Sequence, residues 1–356
     1  MTIRLLVSTI TALTLLAPTA PAEAKPGGTV RNSTPAKPLE RSNPRYPLEA
    51  RRQPSEAWTL ASFVIRPDGT VGDILIDASF GGEEFEEAAR AAMKKWRYEP
   101  ARLDGENVHQ CHQEVLLTYN IEDDGKVGAS KRFIKRYEKA SEHLDAGEID
   151  EAQEDIDRLE ENNLYESVRA SLLRAEVARI QGDAEGQKIH LWRTRIGDGA
   201  HLDDNTHAGV LRALFVLHVK SHDIHEAQRA YARLQKLDPE GGVPESMRES
   251  NGRIDKFLAR DAPLQFPRVL PARREGETGY TRRRHGVMRN IIGIEDVEGS
   301  IDHVDLRCQY HRATWKPTPG KASRVPEKWG DCWLYVFGDP GTKFNVIEYD
   351  KSFASG

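Results

Sequence analysis

Histidine and cysteine side chains, which are common metal ligands, lie close together at two places in the sequence. The first group is His109, Cys111 and His112, and the second is His218, His222 and His225. In a strand, Cys111 and His112 would point to opposite faces, and no C-x-x-C or H-E-x-x-H frame surrounds them. A turn predicted through His222 would separate the second group. We therefore predict no metal site and no cofactor.

Covalent catalysis requires a nucleophile held beside a base. The sequence contains no G-x-S-x-G elbow, phosphate-binding loop or dinucleotide-binding fingerprint. His285, His303 and Asp305 could form a site in the C-terminal part of the chain, because His303 and Asp305 would share one face of a strand. No nucleophile accompanies them. A non-enzymatic protein is the prediction, and an envelope enzyme with a site in this region is an alternative.

The chain contains three cysteines. Cys308 ends one predicted strand and Cys332 begins another, so the two could pair across a small sheet in an oxidising compartment. Such a bridge would stabilise the fold by roughly 3 kcal/mol, mainly by constraining the unfolded chain. Cys111 is then the remaining thiol, and we predict that it is buried and inert.

The composition limits the classes of partner. Charged residues make up 30% of the 356 positions and hydrophobic residues 38%, which excludes a polytopic membrane protein. The formal net charge is −5, so the chain lacks the basic field that favours nucleic acid, and no nucleic-acid partner is predicted. Basic clusters occur at Arg273-Arg274 and Arg282-Arg283-Arg284. They could contact lipid phosphate or an acidic helical region, but a solvated loop is the prediction.

The N-terminal segment has the pattern of a secretory signal. A charged start is followed by the apolar stretch Leu5 to Leu16 and by the small residues of Ala22-Glu23-Ala24. Residues 1–24 are therefore predicted to be a signal peptide that is cleaved near Lys25. Residues 25–43 are rich in polar residues, glycine and proline, and predict a flexible leader. An uncleaved membrane anchor is the alternative.

The segment 44–122 has the pattern of a small β-β-α-β module. Alternation from Trp58 to Ile65, the turn Pro67-Asp68-Gly69 and a second alternating run predict a hairpin. Apolar residues then recur at helical spacing from Phe85 to Trp96, with acidic residues near the helix start. Alternation resumes from Val115 to Tyr119 and predicts a last strand.

The same segment resembles the C-terminal domain of the TonB family of periplasmic energy transducers. The residues that carry the resemblance are Tyr46, Pro47, Asp68, Gly69, Trp96, Arg97, Tyr98 and Pro100. The run from Trp96 to Pro100 is the most specific part. Trp96 and Tyr98 are predicted to be core anchors, and Pro100 is predicted to end the helix.

The resemblance implies how this module would act. In that family, the C-terminal domain binds a short peptide of outer-membrane transporters as an added strand at the edge of its sheet. The contact would lie on the last strand, at Val115, Leu116, Leu117, Thr118, Tyr119 and Asn120. The implied partner is an outer-membrane transporter or another envelope protein, which would present a peptide segment. A second copy of the chain could form a homodimer through the same edge.

Two features depart from an energy transducer. The only apolar segment is predicted to be cleaved, and no long proline-rich spacer follows it. We therefore predict a soluble periplasmic adaptor that is linked to TonB-dependent outer-membrane transport. A true energy transducer with an uncleaved N-terminal anchor is the alternative.

Residues 131–258 are predicted to be helical. Segments at Gly147, Gly182 and His222 echo one another at offsets of about 35 and 40 residues, near the tetratricopeptide period of about 34. They resemble tetratricopeptide repeats, in which stacked helical hairpins form a solenoid with a concave binding face.

Residues 261–356 contain short alternating runs between glycine and proline breakers, which predict a small β-rich domain. The predicted fold class is therefore α+β multidomain. It combines a TonB-C-like β-β-α-β domain, an α-helical tetratricopeptide-like solenoid and a C-terminal β-rich domain.

Overall fold

A computed structural model describes residues 32–48, 50, 56–119, 128–196, 199–237, 243–273 and 280–350. The predicted signal peptide, 1–24, and the first part of the predicted leader lie outside these ranges. The fold is mixed α and β, and its elements follow the predicted order of a β-rich module, a helical region and a second β-rich region.

The first module is built on an antiparallel sheet with the strand order β4-β3-β8. Its elements are β1 (Ser33–Thr34), β2 (Lys37–Glu40), β3 (Ala57–Ile65), β4 (Val71–Phe80), α1 (Glu83–Met93), β5 (Arg97–Glu99), β6 (Ala101–Leu103), β7 (Glu106–Val108) and β8 (Gln110–Tyr119). Apolar side chains of α1 pack on one face of the sheet, where Phe63, Met93 and Leu117 belong to one buried cluster. Strand alternation and helical spacing together create this core.

Two predictions for this module are wrong in part. The predicted flexible leader, 25–43, contains strands, because β1 pairs with β6 and β2 pairs with β5. Pro100 does not end the helix, because α1 ends at Met93 and the residues before Pro100 form β5. The chain leaves the helix early because β2 supplies a strand partner for β5.

The helical region consists of paired helices. They are α2 (Lys131–Ala146), α3 (Ile149–Asp157), α4 (Leu164–Ile180), α5 (Ala184–Thr194), α6 (Asp204–Lys220), α7 (Ile224–Leu237) and α8 (Glu245–Leu258). The turns after α2, α4 and α6 contain Gly147, Gly182 and His222 in left-handed conformation, with φ of 79°, 75° and 57°. The three predicted helical hairpins are therefore present, and α8 follows them.

The C-terminal region contains two four-stranded antiparallel sheets, with orders β10-β15-β12-β13 and β14-β11-β16-β9. The strands are β9 (Leu264–Val269), β10 (Thr281–Gly286), β11 (Ile291–Glu298), β12 (Ile301–Cys308), β13 (Arg312–Trp315), β14 (Ala322–Arg324), β15 (Cys332–Gly338) and β16 (Lys343–Tyr349). Cys308 on β12 and Cys332 on β15 lie opposite each other and form a disulfide, as predicted.

The three regions share packing surfaces. One buried cluster includes Leu214 and Leu234 of the helices together with Phe266 and Val304 of the C-terminal sheets. The face of the β4-β3-β8 sheet that lies opposite α1 packs against the helical region. The residues in that contact are Trp58, Leu60, Ala78, Phe80 and Leu116 from the sheet, and Leu164, Trp192 and Ile196 from the helical region.

Among the described helices, none is both long enough and apolar enough to cross a bilayer. Within the same residues, no group of three or more histidine, cysteine, aspartate or glutamate side chains could hold a metal ion.

Candidate partner-binding edge

Strand β8 is the outer strand of the β4-β3-β8 sheet. It pairs with β3 in the register Trp58↔Thr118 to Ser62↔Glu114, and no strand of the described residues pairs with its other edge. Main-chain groups on such an edge can accept a further strand. The structure therefore contains an edge of the kind that strand addition requires.

The side chains predicted for partner contact are mostly used in packing. Leu117 and Tyr119 are buried, Val115 and Leu116 are half-buried, and Thr118 is exposed. Tyr119 donates its hydroxyl hydrogen bond to the Phe85 carbonyl at 2.6 Å, and burial raises its pKa to about 12. Asn120 lies outside the described residues. Apart from Thr118, β8 would therefore offer a partner mainly its backbone.

The turn between β3 and β4 depends on Asp68 and Gly69. The Asp68 carboxylate accepts hydrogen bonds from the backbone N–H and the hydroxyl of Thr70, at 2.9 and 2.6 Å. These contacts lower the pKa of Asp68. Gly69 has φ of 78°, and a Cβ there would lie 2.1 Å from the carbonyl oxygen of Tyr98. Only glycine fits both the left-handed conformation and this close approach.

The remaining motif residues support the frame around the sheet. Trp96 is 1% exposed and donates an indole hydrogen bond to the Ser42 carbonyl at 2.8 Å. Tyr98 is buried, and the Tyr46 ring packs edge-on against Phe85. Pro47 is buried, Arg97 is exposed on β5, and Pro100 follows that strand half-buried. The buried residues of this set stabilise the module. The burial of Trp96 and Tyr98 agrees with the prediction that both are core anchors.

The first half of β8 contacts the C-terminal region. His112 donates a hydrogen bond from Nε2 to the Arg307 carbonyl at 2.6 Å, and Cys111 Sγ donates to the His311 carbonyl at 3.5 Å. Arg284 lies 3.6 Å from Glu114. Among the described residues, no such side-chain contact joins the stretch from Val115 to Tyr119 to the C-terminal sheets.

Burial controls the ionisation of the two groups at the start of β8. It raises the pKa of the Cys111 thiol to about 12 and lowers the pKa of His112 to about 4. At neutral pH the thiol is protonated and the imidazole is neutral. Cys111 is therefore a poor nucleophile and a poor metal ligand, which agrees with the inert role predicted for it.

The structure does not assemble the alternative enzyme site. His285 contacts Glu348 and Arg268, whereas His303 contacts Asp302. Asp305 accepts hydrogen bonds from Arg307 and Arg312. Each of the three residues thus has its own set of partners.

The arginine cluster at residues 282–284 is part of strand β10, so the predicted solvated loop is wrong. Arg282 contacts Asp77 of the first module, Arg283 lies near Glu185 and Asp223, and Arg284 forms an ion pair with Glu226 at 2.5 Å. The alternative interpretation of this cluster, contact with an acidic helical region, agrees with the ion pairs of Arg283 and Arg284. The acidic partners themselves gave no distinctive sequence signal.

Comparison with known proteins finds two families that each match a part of the chain. The family described as "Gram-negative bacterial TonB protein C-terminal" matches residues 42–127, and a tetratricopeptide repeat family matches residues 137–187. The solution structure of the Pseudomonas aeruginosa TonB C-terminal domain is 30% identical, with 26% of this chain and 94% of that chain covered and a TM-score of 0.23. A TonB2 structure from Vibrio anguillarum is 31% identical, with coverage of 30% and 95% and a TM-score of 0.21.

Two TonB proteins are also similar to a part of this chain. Protein TonB of Pseudomonas aeruginosa is 32% identical over 97 residues, which cover 27% of this chain and 28% of that protein. Protein TonB of Escherichia coli is 34% identical over 64 residues, which cover 18% and 27%. The chain thus spans about a quarter of the length of these relatives.

Proposed function

Because residues 42–127 match the family of TonB C-terminal domains, we propose that this chain is a non-enzymatic periplasmic protein that binds envelope partners by strand addition. The partner segment is an extended peptide of an outer-membrane transporter or another envelope protein. It pairs with β8 from Val115 to Tyr119, and the predicted contact at Asn120 lies outside the described residues. The protein thereby takes part in TonB-dependent outer-membrane transport.

The observation that carries this proposal is the outer edge of β8 in the family-matched module, with which no strand pairs in the part of the chain that the structure describes. Backbone pairing provides the affinity of an added strand, and alternate side chains of the peptide provide its specificity. Contacts of Cys111, His112 and Glu114 with the C-terminal region limit the added strand to the second half of β8.

Proline substitution at adjacent positions tests the backbone pairing. Neighbouring amides of a strand point to opposite edges, so either Leu117→Pro or Thr118→Pro removes an outward amide while the other disrupts pairing with β3. The matched variants Leu117→Ala and Thr118→Ala keep the amide and change only the side chain.

The variants are measured with a panel of peptides from the N-terminal segments of outer-membrane transporters. The proline variant that keeps the wild-type circular dichroism spectrum should bind roughly fivefold or more weakly than its alanine control. Wild-type affinity in that folded variant would refute strand addition at β8, and so would a panel in which no peptide binds.

The periplasmic location rests on the predicted signal peptide, residues 1–24, which stays a prediction. N-terminal sequencing of the cellular protein distinguishes the proposed adaptor from the energy transducer. The adaptor begins near Lys25 in the periplasmic fraction. Recovery in the inner membrane with Met1 intact would instead favour the transducer.

A further inference from the structure

A cavity of about 380 Å³ lies where the three regions of the chain meet. Its walls come from the β4-β3-β8 sheet, from α5 and α7, and from strands of the C-terminal sheets. Ile189, Trp192, Phe266 and Trp333 supply apolar surface. This volume and this position between domains are typical of small-molecule sites.

Cationic side chains outnumber carboxylates in the cavity lining. The cations are Lys188, Arg193, Arg268, Arg282, Arg283 and Arg284, and the carboxylates are Asp77, Glu114, Glu185, Asp223 and Glu226. Three of the cations converge on one carboxylate, because Lys188, Arg268 and Arg283 lie 3.1, 3.4 and 3.5 Å from Asp223. Glu185 also contacts Lys188 and Arg283, but its side chain is 54% exposed. Solvent therefore weakens its neutralisation of these two positive charges.

The ionisation of the lining carboxylates indicates a positive potential. Burial alone would raise the pKa of Asp223, but the His218 ring, whose Nδ1 lies 3.7 Å from the carboxylate, and the charges of Arg268 and Lys188 hold that pKa far below its usual range. Burial opposes ionisation of Glu226 as well, yet the charges of Arg284 and Arg229 lower its pKa to about 2. A site that stabilises the ionised form of its own carboxylates in this way also stabilises an anionic ligand.

One lining arginine has a donor without an acceptor. Arg268 is 2% exposed at its side chain, and its Nε–H has no hydrogen-bond partner among the described residues. Its terminal nitrogens donate to the Ser221 and His222 carbonyls and to His285. A guanidinium cannot act as an acceptor, so the orphan N–H can be satisfied only by an acceptor group.

We propose that this cavity binds a small organic anion, with a carboxylate or phosphate beside Lys188, Arg268 and Arg283 and an apolar body against Ile189 and Trp192. The charged group gains donors that the protein leaves in excess. The apolar body moves out of water and packs against apolar side chains that already line the cavity. The lining includes Glu114 of β8 but none of the residues from Val115 to Tyr119, so binding in the cavity does not require strand addition.

Calorimetric titration of the full chain tests the chemistry of the ligand. The probes are phenyl phosphate and benzoate, with benzyl alcohol and benzylammonium as uncharged and cationic analogues and inorganic phosphate as an anion without an apolar body. The proposal requires saturable one-to-one binding of phenyl phosphate or benzoate, and weaker binding of the other three. Absence of binding by both aromatic anions would overturn it. Equal or tighter binding of benzylammonium or inorganic phosphate would also overturn it.

Two variants test whether the anion binds in the cavity. Arg283→Gln removes a lining cation, and Ile189→Trp fills the space from a side chain that is 52% exposed. Each should weaken binding of the anion by about tenfold or more. The matched controls are Arg179→Gln and Ile180→Trp, at exposed helix positions outside the cavity lining, and they should bind as the wild type does. Wild-type affinity in a folded Ile189→Trp variant would overturn the assignment, even if Arg283→Gln failed to fold.

Discussion

His112 shows how its surroundings determine what an ionisable residue does in this protein. The imidazole is half-buried at the start of β8, and its Nε2–H donates to the Arg307 carbonyl. Because a carbonyl can only accept, this contact fixes the protonated nitrogen of the neutral ring. The residue joins two regions of the chain in its uncharged form, because burial opposes protonation more strongly than the contact with Arg307 favours it.

The pH dependence of stability tests this role. The pKa of His112 is about 4 in the folded protein and about 6.5 in an unfolded chain. Between these values the unfolded state binds more protons, so the free energy of unfolding decreases as the pH falls from 6.5 towards 4. His112→Asn should reduce the loss of stability between pH 7 and pH 4.5 by roughly 1 to 3 kcal/mol, measured by urea unfolding.

His222→Asn is the matched control for that measurement. Both histidines have a left-handed backbone, with φ of 60° and 57°, which asparagine also tolerates. His222 is exposed, so its replacement reports the effect of exchanging a histidine for asparagine at a left-handed position without burial. Equal effects of the two substitutions would show that burial of His112 does not cause the pH dependence.

Residue roles were predictable where the neighbours are close in sequence. Trp96 and Tyr98 could be predicted as core anchors because they follow a recognisable helical pattern. The partners of Arg282, Arg283 and Arg284 could not, because they lie on other domains between 58 and 206 residues away in the chain. Sequence patterns report local periodicity and contain little information about such distant pairs.

At the scale of elements, the hairpin β3–β4 depends on a close approach at its turn. Gly69 lies against the backbone of β5, and the Tyr98 N–H donates to the Gly69 carbonyl at 2.9 Å. Replacement by alanine would introduce a Cβ where the Tyr98 carbonyl already lies. The cost therefore has two parts, the positive φ and the steric overlap.

A matched glycine separates these two parts. Gly105 also has a positive φ, of 89°, but a Cβ there would meet nothing within 4 Å. Gly105→Ala should cost about 1 to 2 kcal/mol, for the backbone conformation alone. Gly69→Ala should cost at least about 2 kcal/mol more, because backbone atoms must move. Equal losses in urea unfolding would contradict the close approach at Gly69.

Element types were largely predictable, and some element ends and pairings were not. Glycine-containing turns and helical spacing predicted the three hairpins of the helical region, including the turn at His222. Strands β2 and β5 were missed because each is short and obtains its hydrogen bonds from the other, across about 60 residues of chain.

At the scale of the whole molecule, a buried ionic cluster connects the helical region with the C-terminal sheets. Asp223 at the start of α7 lies near Lys188 of α5, Arg268 of β9 and Arg283 of β10. Removal of its charge would leave three cations without their shared carboxylate. Removing one partner of a buried ion pair usually destabilises the fold strongly, because the remaining charge stays desolvated.

Asp223→Asn should therefore lower the free energy of unfolding by roughly 3 to 5 kcal/mol, measured by urea unfolding at neutral pH. Glu176→Gln, which removes the partner of Arg179 at an exposed site, should cost about 1 kcal/mol or less. A loss below 1 kcal/mol for Asp223→Asn would mean that the cluster does not hold these regions together.

The three predicted regions pack against one another. Apolar residues of the helical region and of the C-terminal sheets form one cluster, and the first module covers part of the helices. A sequence pattern indicates that a face is apolar without naming the surface it packs against. For this reason the β8 edge could be anticipated, whereas the contacts that cover its first half could not.

Cysteine cross-linking provides the most direct test of strand addition. A cysteine is introduced at Thr118, which is exposed on β8, and is tested against copies of a binding transporter peptide that each carry one cysteine at a successive position. Strand addition predicts one position of strongest cross-linking, with neighbours at a spacing of two residues, because side chains of a paired strand alternate between faces. Uniform cross-linking along the peptide, or none at all in a peptide that binds, would contradict the proposed pairing with β8.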